Sequence, residues 1–330
     1  ANFYRLALKL SGASQARRWT NINSKGGFIY SFNGPHSLFV DTIRSCRALA
    51  ISYLLGHKYM DEGDLEISLL GRLLNHAIST AKYSVYYGEG RDQYDAEPGR
   101  TTHEAIFNTN DGQFRCPNSQ QGFSGFTTWT RGLAWAITGF AEELEFLELL
   151  KDEEIDPFGG RKKIHSIFLK AAHATGSFYI NNTPADGIPY WDTGAPELSK
   201  MPVDYLEKNS NPYNDHEPVD SSAAAIAAQG LIRLGQLLGE AGDQYTKAGI
   251  TIAKSLFSEP YLSMDPTHHG LILHSIYHRP NGWDYVPDGS KIPNGESSMW
   301  GDYHARELAL YIGKLAEGTN YHFFDCAPRA

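Results

Sequence analysis

The chain has 330 residues, a formal net charge of -9, 41% hydrophobic and 12% aromatic residues. An acidic balance with no Lys/Arg run excludes nucleic acid and anionic membrane surfaces as partners, because both need clustered positive charge. No apolar run is long enough to span a bilayer and the first residues carry neither a basic n-region nor a continuous h-region, so a soluble protein of the cytoplasm or periplasm is expected.

Cys46, Cys116 and Cys326 lie far apart without metal-ligand spacing, so neither a zinc site nor a disulfide framework is expected. No nucleophile elbow, phosphate loop or metal-binding helix is present, which speaks against esterase, NTPase and metalloprotease chemistry. No metal and no cofactor are expected.

Residues 2–10 read as a short helix, Lys25 to Tyr30 as a turn leading into extended chain, and Asn33-Gly34-Pro35-His36 as a break. Apolar residues at helical spacing (Phe39, Ile43, Ala48, Ile51, Leu54, Leu55) predict a helix over 38–57, with Asp41 in its first turn, where the dipole favours a carboxylate. A second helix over 64–87 completes an αα-hairpin. The next forty residues are rich in Gly, Pro, Asn and Asp, and Asn110-Asp111-Gly112 is a strong turn signal between short strands. Long excursions of this kind usually shape a site, and Tyr86, Tyr87, His103 and Phe107 favour a packed one.

Residues 127–150 then predict a helix capped by threonine, with Trp129, Arg131 and Trp135 near its first turns. Indole faces stack on the apolar face of a sugar, and a guanidinium fork suits a carboxylate, so this helix mouth is a candidate binding place for an acidic sugar. Core packing of both indoles and a structural ion pair for Arg131 is the alternative. A helix over 161–179 follows, then the Gly- and Pro-bracketed loop 186–196, which presents Trp191 and Asp192. Asp220 is a natural N-cap for the small-residue helix behind it. Helices over 245–257 and 302–315 complete the chain. Their recurrence in pairs, with no composition break, predicts one all-α domain over 1–330, its helix pairs curling into a closed ring with the loops gathered at one end.

Sugar hydrolysis commonly needs one carboxyl group to donate a proton and a second group to activate water. Asp41, Asp111, Asp192, Asp220, Asp284 and Asp302 all sit at helix starts or in loops, and composition does not choose among them. Motifs do. Trp129-Thr130-Arg131-Gly132-Leu133-Ala134-Trp135, Gly187-Ile188-Pro189-Tyr190-Trp191-Asp192, Asp220-Ser221-Ser222-Ala223-Ala224-Ala225 and Trp300-Gly301-Asp302-Tyr303 together resemble the unsaturated glucuronyl hydrolases, glycoside hydrolase family 88, in order from about Asp41 to Tyr303.

The resemblance implies a six-hairpin α/α barrel that hydrates the 4,5-double bond of an unsaturated uronic acid at the non-reducing end of an oligosaccharide. The hemiketal so formed opens and the linkage breaks. In the family an Asp serves as acid and base with a second Asp assisting. Asp41 matches one of them, although Arg44 and Ser45 stand where the family has Met-Asn. The second is missing: Gly122-Phe123-Ser124-Gly125-Phe126-Thr127 replaces the family's Gly-Tyr-Ser-Asp-Asp-Ser, and Leu133 replaces its Gln. Candidates to stand in are Asp111, His103, His216 and Asp192. The resemblance further points to Trp129, Trp135 and Trp191 as the sugar platform, to Trp300 beside them, and to Arg131 and Arg44 as ligands of the substrate carboxylate. Two rivals stand beside this reading: a divergent enzyme acting on a saturated sugar, and a non-catalytic sugar-binding barrel.

Overall fold

The computed structural model describes residues 2–22, 26–319 and 321–326, with the side chains of Asp325 and Cys326 outside the description. Lys25, expected to open a turn, also lies outside the described residues. The helices are α1 (Asn2–Arg17), α2 (Cys46–Leu54), α3 (Leu69–Tyr83), α4 (Thr130–Glu148), the short α5 (Asp152–Ile155), α6 (Arg161–Asn181), α7 (Ser221–Leu238), α8 (Asp243–Leu256) and α9 (Met299–Ala316).

Two of these are enclosed on every face and occupy the middle. α4 is buried at every residue from Thr130 to Leu147, and α7 from Ser221 to Gly235; buried charges they carry are paired, Glu142 with Arg47 and Glu145 with Arg233. Their backbones approach so closely that a Cβ on Gly230 would lie 2.6 Å from the Thr138 backbone. One-sided helices cover the pair: α6 packs on α3 and α4, and α8 on α7, each burying one stripe. α9 packs on the other side of α7, while α2 lies between α1 and α3. Inner and outer helices alternate in this way in an α/α barrel, the expected architecture.

Short strands decorate the barrel. β1 (Trp19–Asn21) pairs with β2 (Gly27–Ile29), β4 (Tyr59–Met60) with β5 (Glu66–Ile67), and β3 (Ser37–Phe39), β6 (Glu104–Phe107) and β7 (Phe114–Asn118) form an antiparallel sheet in the order β3-β6-β7. The turn around Asn110-Asp111-Gly112 joins β6 to β7 as expected.

The 38–57 segment departs most from its expectation. Instead of one helix it forms β3, a 3-10 turn over Val40–Ser45, and only then α2. The physical cause is pairing with β6: Phe39 stands opposite Glu104, and the Val40 N–H donates to the His103 carbonyl at 2.9 Å. Tertiary pairing here overrides helical periodicity. α1 runs seven residues past its expected end at residue 10, because Gly12 seats on Ser52, whose hydroxyl donates to the Leu8 carbonyl. α4 is not capped by threonine; Thr130 Oγ1 donates to the carbonyls of Tyr190 and Trp191, tying the helix start to the 186–196 loop. Asp220 does cap α7, accepting from the backbone N–H groups of Ser222 and Ala223.

Candidate functional site

The starts of α4, α7 and α9 and the end of β3 meet at one end of the barrel. Backbone bridges join Trp129 to Asp192 and Tyr190 to Val219, and the Ser221 N–H donates to the His274 carbonyl. Between these segments lies a cavity of about 520 Å3. Asp41 and Arg44 enter it from the 3-10 turn, Gln121 from the loop before α4, Trp129, Arg131 and Trp135 from the start of α4, and Met299, Trp300, Tyr303 and His304 from the start of α9, with Phe32 and Tyr277 completing the wall. Helix N-termini carry partial positive charge, which favours an anionic occupant.

Asp41 is 4% exposed. Its Oδ2 lies 3.3 Å from Arg44 Nη1 and its Oδ1 lies 3.6 Å from His103 Nε2. Oδ1 has no hydrogen-bond partner among the described residues. Burial alone would raise this carboxyl, but the Arg44 charge and the His103 side chain outweigh it and hold the pKa down at about 2. His103 cannot exchange a proton freely at its other nitrogen. Nδ1 accepts backbone N–H groups from Gln120 and Gln121 at 3.0 and 3.1 Å, which places the ring proton on Nε2, facing Asp41. Its side chain is fully buried between Phe39 and Trp129 and does not line the cavity, so His103 orients Asp41 instead of touching a ligand.

The two arginines differ in freedom. Arg131 is fixed: Nη1 donates to the Ile276 carbonyl, Nη2 to the Tyr277 carbonyl and to Gln121 Oε1, and Nε lies 3.9 Å from Asp220 Oδ2. It presents to the cavity a guanidinium already engaged, packed 4.8 Å from the ring centres of both Trp129 and Trp300. Arg131, expected to receive a substrate carboxylate, thus lines the cavity with most of its donors already engaged. Arg44 has a side chain 51% exposed, laid over Trp135 at 5.1 Å, with one ion-pair contact to Asp41. It is the arginine able to reorient toward a ligand.

Trp129, Trp135 and Trp300 line the cavity together, and Trp300 Nε1 is anchored on Ser222 Oγ at 3.0 Å. Trp191 does not join them: it is 3% exposed, its indole N–H donates to Glu217 Oε2 at 2.8 Å, and it lines a separate groove with His216. His216 pairs there with Glu197 at 3.5 Å. Asp192 is fully buried, and both of its oxygens are occupied, Oδ2 by the Phe123 N–H at 2.8 Å and Oδ1 by the Gly194 N–H at 2.9 Å. Burial pushes its pKa up to about 6 against those donors. Asp111 is not brought to the cavity. It lies exposed in the β6–β7 turn, accepting from the Gln113 N–H and pairing with Arg115, and takes no part in the cavity wall.

The loop where the resemblance lacks its Asp explains that loss sterically. A Cβ on Gly125 would meet the Asn118 backbone at 2.8 Å, and Phe126 stacks on Tyr94 with ring centres 3.9 Å apart. Neither residue lines the cavity, and among the described residues that do, Asp41 is the one carboxylate. Sequence reasoning missed Gln121, Tyr277, Tyr303 and His304. Tyr303 and His304 sit beside the Trp300-Gly301-Asp302 motif one helical turn into α9, so that motif carried the signal; Gln121 and Tyr277 had none, because the chain brings them together from 156 residues apart.

No protein-family model matches the chain. It is 29% identical over 207 residues to an unsaturated glucuronyl hydrolase of Formosa agariphila, a match covering 62% of this chain and 41% of that protein. It is 26% identical over 223 residues to an unsaturated glucuronyl hydrolase of Bacillus sp. strain GL1, covering 66% of this chain and 48% of that protein. The chain thus spans less than half the length of either relative in these matches. The crystal structure of the unsaturated glucuronyl hydrolase from Bacillus sp. GL1 superposes with a TM-score of 0.68 at 21% identity, over 98% of this chain and 71% of that one. That likeness carries the fold, a six-hairpin α/α barrel, to which the described residues contribute eight helices of nine or more residues.

Proposed function

We propose that this chain, a relative of the unsaturated glucuronyl hydrolases in sequence and fold, is an enzyme that hydrates a 4,5-unsaturated uronyl residue at the non-reducing end of an oligosaccharide. The observation that carries the reading is Asp41: a buried carboxylate on the wall of an aromatic cavity, with a half-exposed arginine beside it. The indoles of Trp129, Trp135 and Trp300 supply apolar faces for the sugar ring. Arg44 supplies the counter-charge for its carboxylate.

Water adds across the double bond in two proton steps through one group. Protonated Asp41 delivers its proton to C4, whose new C–H bond takes the electron pair of the double bond, and positive charge develops at C5 and the ring oxygen. Water then bonds to C5 and returns a proton to the Asp41 carboxylate. The resulting hemiketal opens, releasing the leaving sugar. His103 takes no proton in this scheme; its Nε2–H orients the carboxylate throughout.

One observation favours a second reading. With Asp41 as the one carboxylate among the described lining residues, a barrel that binds a uronide without turning it over is the rival. A single assay separates them. Incubation with a panel of lyase-generated unsaturated disaccharides, followed by loss of the ultraviolet absorbance of the conjugated double bond, is expected to show turnover that falls about 10^3-fold in Asp41→Asn. Binding of the disaccharides without any absorbance loss in the wild-type protein supports the binding barrel and removes the enzyme reading.

A further inference from the structure

We infer that Arg44 couples substrate binding to protonation of Asp41: the arginine that pairs with the carboxylate turns to the carboxylate of the arriving uronide, and Asp41 takes up a proton as its partner leaves. This rests on the proposed site and on Asp41 acting there as an acid.

The geometry sets the problem that this coupling solves. With its partner at 3.3 Å, Asp41 is held down at about 2 and favours the ionised form near neutral pH. An ionised carboxylate has no proton to give C4. The groups facing Asp41 from each neighbouring element leave Arg44 as the one with a charge free to move. His103, in the loop before β6, is held by two backbone N–H donors on Nδ1 and turns Nε2 to Asp41. His76, on α3, accepts the Ile29 N–H at Nδ1, and burial lowers its pKa to about 4, so it is neutral near pH 7. Arg131, on α4, is tethered to two carbonyls and Gln121. Arg44 alone of these has a half-exposed side chain resting on an aromatic ring that also lines the cavity, so it can swing without breaking a backbone hydrogen bond.

When a uronate arrives, three influences change in the same direction. The guanidinium pairs with the incoming carboxylate, the sugar excludes water from a carboxyl that is already 4% exposed, and a second negative charge comes near. Burial is the largest single influence on Asp41, and it favours the neutral acid. Losing the Arg44 charge removes the largest influence that opposes it. Arg44 is therefore a positioning residue with two duties, and a ligand lacking a carboxylate leaves Asp41 ionised and inert.

D-glucuronate, a saturated and unreactive uronate, is the probe. Calorimetric titration at mildly acidic pH in buffers of different ionisation enthalpy is expected to show uptake of about one proton per glucuronate bound, with none on binding glucose and none in Asp41→Asn. Glucuronate binding without proton uptake overturns the coupling, and so does failure of glucuronate to bind. A second measurement needs no ligand: the Asp41 carboxyl, followed by carbon NMR in aspartate-labelled protein, is expected to titrate about 1–3 units higher in Arg44→Met than in the wild type. An unchanged titration in a variant whose circular dichroism matches the wild type also overturns it. Neither experiment depends on turnover, so the absorbance assay decides the hydration reading separately.

Discussion

Asp41 and Asp192 are the same residue type, both buried, both within the loop-bearing end of the barrel, and their carboxyls move in opposite directions. Asp192 is raised to about 6 and Asp41 lowered to about 2. A raised carboxyl is the usual mark of a general acid. Here that mark falls on the structural residue. Both oxygens of Asp192 receive backbone N–H groups and hold the loop after Gly122 against the 186–196 loop, with no oxygen left for a ligand. Asp41 has the depressed pKa of an ordinary ion pair, yet it lines the cavity. The pair teaches that a place on a cavity wall identifies a chemical group better than the direction of its pKa. The depressed pKa reflects a partner that can leave, and the raised one reflects burial that the fixed donors do not outweigh.

The comparison is broken most forcefully through the fixed arginine. Arg131→Met removes the donor to two carbonyls and the counter-charge near Asp220, and is expected to cost about 4 kcal/mol of stability by chemical denaturation. Arg44→Met is expected to stay within about 1 kcal/mol of the wild type, since its ion pair is half exposed. Equal losses in the two variants would show that Arg44 is also structural.

The pH dependence sharpens the contrast further. Asp192, raised in the fold above its ordinary 3.8, favours the protonated state, so its contribution is full below 3.8 and is lost as pH rises to about 6. At about 1.4 kcal/mol per unit this is about 3 kcal/mol, and Asp192→Asn is expected to flatten that limb of the stability curve. Asp41 runs the other way. Its folded pKa is depressed, so its contribution is present above 3.8 and is lost as pH falls to about 2, by about 2 kcal/mol or less because Arg44 is half exposed to solvent. Asp41→Asn should flatten the acid limb alone. Flattening of the same limb in both variants would erase the distinction between the two carboxyls.

Gly125→Asp asks whether the missing acid can be put back. The new Cβ would press on the Asn118 backbone, so a loss of about 2 kcal/mol and no gain of turnover are expected from thermal unfolding and the absorbance assay. A gain would mean that the loop after Gly122 reaches the cavity. Asp111→Asn is expected to have the smallest effect, under about 1 kcal/mol and without change in turnover, because the carboxylate is exposed in a hairpin turn.

Much of this was legible in the chain. The apolar spacing after Thr130 and the small residues after Asp220 made α4 and α7 readable as helices, since such patterns are local properties of a sequence. The N-cap at Asp220 and the hairpin turn at Asn110-Asp111-Gly112 were readable for the same reason. Asp41, Trp129, Trp135 and Trp300 were found through their motifs, and the fold converged them on one cavity. What the residue types left open was engagement. Arg131 and Arg44 read alike as carboxylate ligands until the 276–277 carbonyls, 145 and 146 residues away, were seen to hold one of them. Asp192 and Trp191 read as a presented pair until Phe123, Gly194 and Glu217 were seen to occupy them. The helix expected over 38–57 gave way at its start to a strand and a 3-10 turn because β6, far along the chain, offered hydrogen bonds that the local pattern could not foresee. Sequence alone thus determined where most helices lie and which chemical groups the chain owns. Tertiary structure decided how some of those helices begin, which groups are already bound by the backbone and which face a cavity, because hydrogen-bond satisfaction is settled between segments distant in sequence.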